Sequence, residues 1–263
     1  MGKPCSRLVK GAVAAFALAC ASFAPGAGAQ PVPDAEAFLA GRAKDCPGCN
    51  LAGANLKRRN LSGVNLAGAN LAGASFHRAV LRGANLSGAD LTGANLNKTD
   101  LILADFSNAK LANAMLFEAD ASRANFSRAN LTEALMGSVR LINGKLDGAI
   151  LTEADFEAAL LNEASFANAN LNGANLHQAR MLRANLHGVV ANSAEFTLAN
   201  LRDADLSAAK LGESVFYLAD LGGADLSGAD FNHAVLRSAV LTNNKDAGIN
   251  LTGAMMPDNS IHP

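Results

Sequence analysis

The sequence predicts an all-β solenoid, a chain wound into stacked coils with one bend every five residues, and two observations carry that prediction. From Leu51 to Leu241 a five-residue period runs without insertion or deletion, and 35 of its 39 centre positions are Leu or Phe, the exceptions being Ala121, Met136, Met181 and Ala191. Two residues before each centre stands Ala, at 31 of 38 positions between Ala54 and Ala239. Neither ordinary element can bury such a pattern. On an α-helix a step of five residues turns the side chain through about 500°, which scatters the leucines round the surface. On a flat strand an odd period sends alternate leucines to opposite faces. With one bend per repeat, each coil aims its Leu or Phe and its Ala inward and stacks on the next at about 4.8 Å. The three other positions then meet water, which accounts for their Asn, Asp, Ser, Thr, Gly, Lys, Arg and Glu.

Taken in order, residues 1–29 read as a secretory leader. Lys3, Arg7 and Lys10 precede an apolar run from Gly11 to Ala24, and Ala27-Gly28-Ala29 stands before Gln30. That run is short for a bilayer span, so cleavage is expected after Ala29, with delivery to the periplasm or secretion. A second reading takes Ala17-Leu18-Ala19-Cys20 as a lipoprotein processing box anchored at Cys20, although Leu18 sits one place late for that pattern. Loss of the leader takes the formal charge from −1 to about −4, a mild acidity that signals neither nucleic acid nor a membrane surface.

Residues 30–45 are read as a linker, Gln30-Pro31-Val32-Pro33, and a short capping helix. Asp34 can act as its N-cap, with Ala37 where a capping box wants Glu. Phe38 and Leu39 are expected on the side that covers the first coil, because an open end exposes unpaired backbone and a dry core. Cys46 then falls on the centre register and Cys49 two before centre Leu51, so both thiols point inward with a Pro-Gly turn between them. In an oxidising compartment this pair is read as a structural disulfide. Two buried free thiols and a redox couple are the other readings, the latter lacking the helix N-terminus that lowers a thiol pKa. A zinc site would have half its ligands.

The repeat unit is set at 46–243, as one elongated domain. Its departures mark packing. Arg59 holds an inward Ala position where a long side chain can escape past the cap, since deeper burial of the charge would be costly. Val64, Val139 and Val189 enlarge the same site, and Ala121 and Ala191 shrink the centre. Gly144, with Val139 and Lys145 nearby, leads to an expected distortion over 137–148. Past Leu241 the register fails, with Asn244 inward and Asp246 at a centre, so 244–263 is assigned to an irregular C-terminal cap.

Runs such as Ala-Asn-Leu-Ser-Gly (84–88), Ala-Asp-Leu-Thr-Gly (89–93) and Ala-Asn-Leu-Asn-Gly (169–173) resemble those of the pentapeptide-repeat family, with its consensus Ala-(Asp/Asn)-Leu-x-x. The resemblance covers about three quarters of the chain. It implies a right-handed quadrilateral parallel β-helix with four repeats per coil, about ten coils, and hence a length near 48 Å at the strand spacing. Seven of the eight centre Phe residues (76, 106, 126, 156, 166, 196 and 216) then share two opposite sides, with Phe231 the exception. The Cys-Pro-Gly-Cys-Asn-Leu opening and the Met-Pro-Asp-x-Ser-Ile-His ending are similar to those of exported or cell-envelope members.

No catalytic constellation emerges, and no cofactor or metal is expected. On a four-sided coil His77 and His177 share a face but lie five coils, about 24 Å, apart, while His187 and His233 lie on other faces. The Asp and Asn before many centres are expected to bond turn backbone rather than calcium. No Trp and one Tyr leave no platform for stacking bases. Two surface features stand out. Lys57, Arg58, His77, Arg78 and Lys98 stack on one face of the first three coils, as a solvated cluster or a site for an anion such as phosphate, lipid headgroups or an acidic polymer. Leu198, Val215, Tyr217, Leu218 and Val235 form an apolar patch near the other end of that face, suited to a protein partner or self-association. The expected function is an exported, non-enzymatic scaffold or interaction module. The alternatives are mimicry of DNA toward type II topoisomerases, which the resemblance suggests but the leader and weak charge oppose, and an envelope redox accessory using Cys46 and Cys49.

Overall fold

Helix α1 spans Ala35–Leu39 and is capped by Asp34, whose carboxylate accepts from the amides of Glu36 and Ala37 at 2.9 and 3.1 Å. The computed structural model describes residues 34–263. The leader, its cleavage site, Cys20 and the linker prolines lie outside the described residues. Phe38 packs into the core, but Leu39 is 44% exposed. Successive helical residues point about 100° apart, so one of the two faces the first coil and the expected pairing is corrected. Arg59 reaches back to the helix C-terminus, donating to the carbonyls of Leu39 at 3.3 Å and Phe38 at 3.2 Å, with its guanidinium 5.5 Å from the Phe38 ring centroid. Of these two carbonyls Phe38 also accepts from the Gly41 amide at 3.0 Å, and the guanidinium complements the negative helix end.

The rest of the described chain is a ladder of single bridges. The residue before each centre pairs in parallel with the residue twenty positions on, from Asn50↔Asn70, Asn55↔Ser75, Asn60↔Val80 and Asn65↔Asn85 through to Val235↔Met255. One coil is therefore four repeats. Within a repeat, four of the five amides have backbone partners. The centre amide donates to the next coil, as Leu51 does to Asn70 at 2.7 Å. The amide two residues later does the same, Gly53 to Ala72 at 2.8 Å, and the bridge amide donates to the coil before, Asn70 to Cys49 at 2.8 Å. A turn is closed by the inward Ala, Ala54 to Leu51 at 3.0 Å.

The fifth amide, just after the centre, has no backbone acceptor, and the Asn or Asp before the centre supplies one. Asp90 accepts from Thr92 at 3.0 Å and Asn125 from Ser127 at 3.1 Å. Where that residue is Met115, Arg180 or Val190, an Asn on the preceding coil takes over: Asn97 accepts from Phe117 at 2.8 Å, Asn162 from Leu182 at 3.2 Å and Asn172 from Asn192 at 2.9 Å. This bonding of turn backbone is what the Asx columns were expected to do.

The second residue after each centre has positive φ, +66° at Gly53, +57° at Arg58 and +64° at Gly88. With the preceding residue in the ordinary region, this is the type II turn, whose third position favours glycine. Inside, Phe106 and Phe126 stack with ring centroids 4.7 Å apart and Phe196 and Phe216 at 4.6 Å, the coil spacing itself. Two inward polar residues are satisfied locally: the Thr99 hydroxyl donates to the Phe76 carbonyl at 3.0 Å, and the Ser214 hydroxyl donates to the Leu211 carbonyl.

Two expectations are corrected by the backbone. The ladder runs through 137–148 without interruption, with Arg140↔Leu160 and Lys145↔Ser165 in register. A Cβ on Gly144 would lie 1.7 Å from a Leu141 methyl, so Leu141 has leaned into the space the glycine leaves, and no distortion is needed. The ladder also crosses the boundary at 243, since Lys245, Asn250 and Met255 bridge to Asp225, Asp230 and Val235. Backbone pairing does not require an apolar centre. What the last coil loses is its filling: Asp246 is exposed, and a cavity of about 330 Å³ opens against Leu226, Phe231, Leu236, Leu241, Leu251 and Met256.

Candidate functional site

The twenty-residue register decides which side chains become neighbours. It stacks Lys57 on His77, and Arg58 on Arg78 on Lys98, in adjacent columns of one face, with the amide of Arg58 donating to the His77 carbonyl and that of Arg78 to the Asn97 carbonyl, both at 3.1 Å. His77 is half-buried and the four cations are exposed. Lys98 pairs with Glu118 at 3.1 Å; among the described residues Lys57, Arg58 and Arg78 have no ion pair. The bridge residues beside them, Asn55, Ser75 and Asn95, are neutral.

Farther along the same face, Val215 bridges to Val235, and the Leu198 amide donates to the Tyr217 carbonyl at 2.9 Å. Leu198 is 45% exposed, and Tyr217 and Leu218 stand out beside it, so the five apolar residues form one patch. Two features were missed. The Arg237 guanidinium lies 5.6 Å from the Tyr217 ring centroid, one coil on. Between the basic and apolar groups, Phe117 (44% exposed) and Leu135 (50%) protrude, and the Phe117 ring flanks Gly137. There it walls a hollow of about 230 Å³ with Asp155 and Glu157. Adding twenty to Tyr217 and Phe117 finds both pairs once the side count is known.

Chemistry elsewhere is sparse. Cys46 and Cys49 are buried and placed as a disulfide pair with Cα atoms 5.4 Å apart. His187 Nδ1 lies 2.8 Å from the Ser207 hydroxyl, and His77 and His177 are five coils apart in the register. No group of three metal-ligating side chains occurs among the described residues, and none of their helices is long and apolar enough to cross a membrane. The shifted carboxylates belong to the turns. Bonds from the Ser227 hydroxyl and amide, then from Lys245, hold Asp225 at about 2, and the Thr92 hydroxyl and amide lower Asp90.

A family model described as pentapeptide repeats matches in eight copies, over residues 49–88, 60–97, 84–120, 109–148, 149–188, 179–217 and 214–256. Among solved structures, HetL, a pentapeptide repeat protein involved in heterocyst differentiation regulation from the cyanobacterium Nostoc sp. strain PCC 7120, is 28% identical, with 86% of this chain and 97% of that chain covered and a TM-score of 0.61. QnrB1, a plasmid-mediated fluoroquinolone resistance protein, is 18% identical over 78% of this chain and 92% of its own, with a TM-score of 0.35. A pentapeptide repeat protein from the Arabidopsis thaliana thylakoid lumen is 28% identical over 44% of this chain and 71% of its own, with a TM-score of 0.21. Among curated proteins none matches.

Proposed function

The chain belongs to the pentapeptide-repeat family, and from that premise we propose that it is an exported, non-enzymatic scaffold that binds a protein partner through one flat face. The observation that carries this reading is the patch of Leu198, Val215, Tyr217, Leu218 and Val235, apolar side chains held outward on a backbone whose every coil is bonded to its neighbours. Burying them against a partner removes apolar surface from water without ordering a flexible loop, which keeps the entropic cost of association low. Arg237 over the Tyr217 ring adds a guanidinium at the margin of the patch. The exported location rests on the basic, apolar and small-residue order of residues 1–29. In that compartment the Cys46–Cys49 pair closes the first corner as a disulfide, α1 serves as the lid on the first of about ten coils, and no cofactor is required.

A photo-crosslinker placed at Tyr217 in living cells tests the partner. One discrete adduct, lost in Leu218→Asp, is expected; no adduct, or one unchanged by that substitution, would remove the patch as an interface. Fractionation of the chain with and without residues 1–29 tests export. Full-length, unprocessed product in the cytoplasm would sink it and return DNA mimicry to consideration.

A further inference from the structure

We propose that the cationic columns of the first coils dock the chain onto an anionic phospholipid surface. The argument starts from a backbone preference. From 48 to 98 the second turn position occurs eleven times, always at positive φ. Eight of these are glycine, at 48, 53, 63, 68, 73, 83, 88 and 93, and the three that are not are Arg58, Arg78 and Lys98, all in one column. Local conformation favours glycine at each of them. The stacking adds repulsion, because like charges one coil apart lie at about the strand spacing. Neither packing nor ion pairing offsets this for Arg58 and Arg78, which are exposed and unpaired among the described residues. A ligand of opposite charge does.

The same face says which ligand. Lys57 and His77 broaden the column into a flat cationic plate, and its next coil brings Phe117, whose carbonyl accepts from the Lys98 amide at 2.9 Å, with Met115 and then Leu135 beside it. Cations followed by protruding apolar side chains suit a headgroup layer over acyl chains. A free phosphate would make no use of Phe117 and Leu135. This inference concerns the opposite end of the face from the Tyr217 patch and goes beyond the scaffold reading, so either can fail alone.

The chain has no Trp, so Phe117→Trp in the full-length protein gives a single reporter on this face and on no other segment. Vesicles of phosphatidylglycerol and phosphatidylcholine should shift its emission to the blue, and phosphatidylcholine alone should not. In the same background Arg58→Gly, Arg78→Gly and Lys98→Gly together install the residue that neighbouring turns already use, so melting should stay within a few degrees of the parent. Each cation removed should weaken binding about fivefold, or about a hundredfold for the three. No shift, an equal shift with neutral vesicles, or a shift that survives the triple substitution would overturn the proposal. So would the same response to inorganic phosphate alone, or tighter retention of a single-stranded oligonucleotide than of the anionic vesicles at equal salt.

Discussion

At the scale of the residue, one amide in five lacks a backbone acceptor, and in most repeats a side chain supplies one. Asn125 shows the arrangement: its Oδ1 accepts from the Ser127 amide at 3.1 Å and hydroxyl at 2.7 Å, and its Nδ2 donates to Asp105 on the coil before at 3.0 Å. Asn125→Ala should cost about 1 to 2 kcal/mol by chemical denaturation, the usual range for lost, partly buried bonds. Asn125→Asp keeps the acceptor but sets a second carboxylate against Asp105, so it should destabilise above about pH 4 and recover as the pair takes up a proton. Asp225 gives the complementary pH dependence. Its folded pKa of about 2 lies below the ordinary 3.8, so its contribution is complete above the unfolded value and is lost as pH falls through about 2. Asp225→Asn should flatten the melting temperature between pH 4 and pH 2. An unchanged slope would assign the acid sensitivity to other groups.

At the scale of the element, the first coil is held by contacts that the repeat does not provide. Arg59→Ala removes two donors to the end of α1 and the guanidinium beside Phe38. Faster hydrogen exchange at the amides of Ala40, Gly41 and Arg42 should follow, with little change beyond the second coil. Cys46→Ser closes no loop and should cost about 2 kcal/mol if the four-residue ring acts through chain entropy. How much could be read beforehand follows from what the side chains encode. The inward Leu and Ala columns were legible because every coil repeats the same requirement, and the Asx columns were legible because Asn and Asp bond turns. The bend was visible as well, in the glycines at 48, 53, 63 and 68, though these read only as water-facing residues. The number of sides came from the family resemblance and not from the side chains, since coil closure is a backbone property; the same four-repeat step leads from Tyr217 to Arg237, a pairing missed because the patch was read for its apolar residues alone. Leu39 and the last coil were misjudged for one reason: apolar character was taken as a proxy for position, whereas helix geometry turns Leu39 outward and backbone pairing carries the ladder past Asp246.

At the scale of the whole described chain, each coil touches only its neighbours, so stability accumulates coil by coil and the ends decide how far the stack extends. An interior change such as Leu151→Ala should cost 2–5 kcal/mol by the cavity it leaves. The C-terminal end behaves differently, because its coil still offers backbone groups while its interior is interrupted. Asn244 occupies an inward Ala slot and donates to the Leu221 and Ala224 carbonyls at 2.6 and 3.2 Å, and Asp246 puts a charge where a centre leucine would sit. A charge at the mouth of an apolar cavity opposes the docking of another coil, the same device that protects sheet edges. Asn244→Ala with Asp246→Leu should therefore make that end adhesive. Light scattering coupled to size exclusion should show a mass that rises with concentration in the double variant and exceeds that of the parent at equal loading. Equal masses at every concentration would mean that the final residues, 257–263, already close the stack, and that Asp246 has no part in ending it.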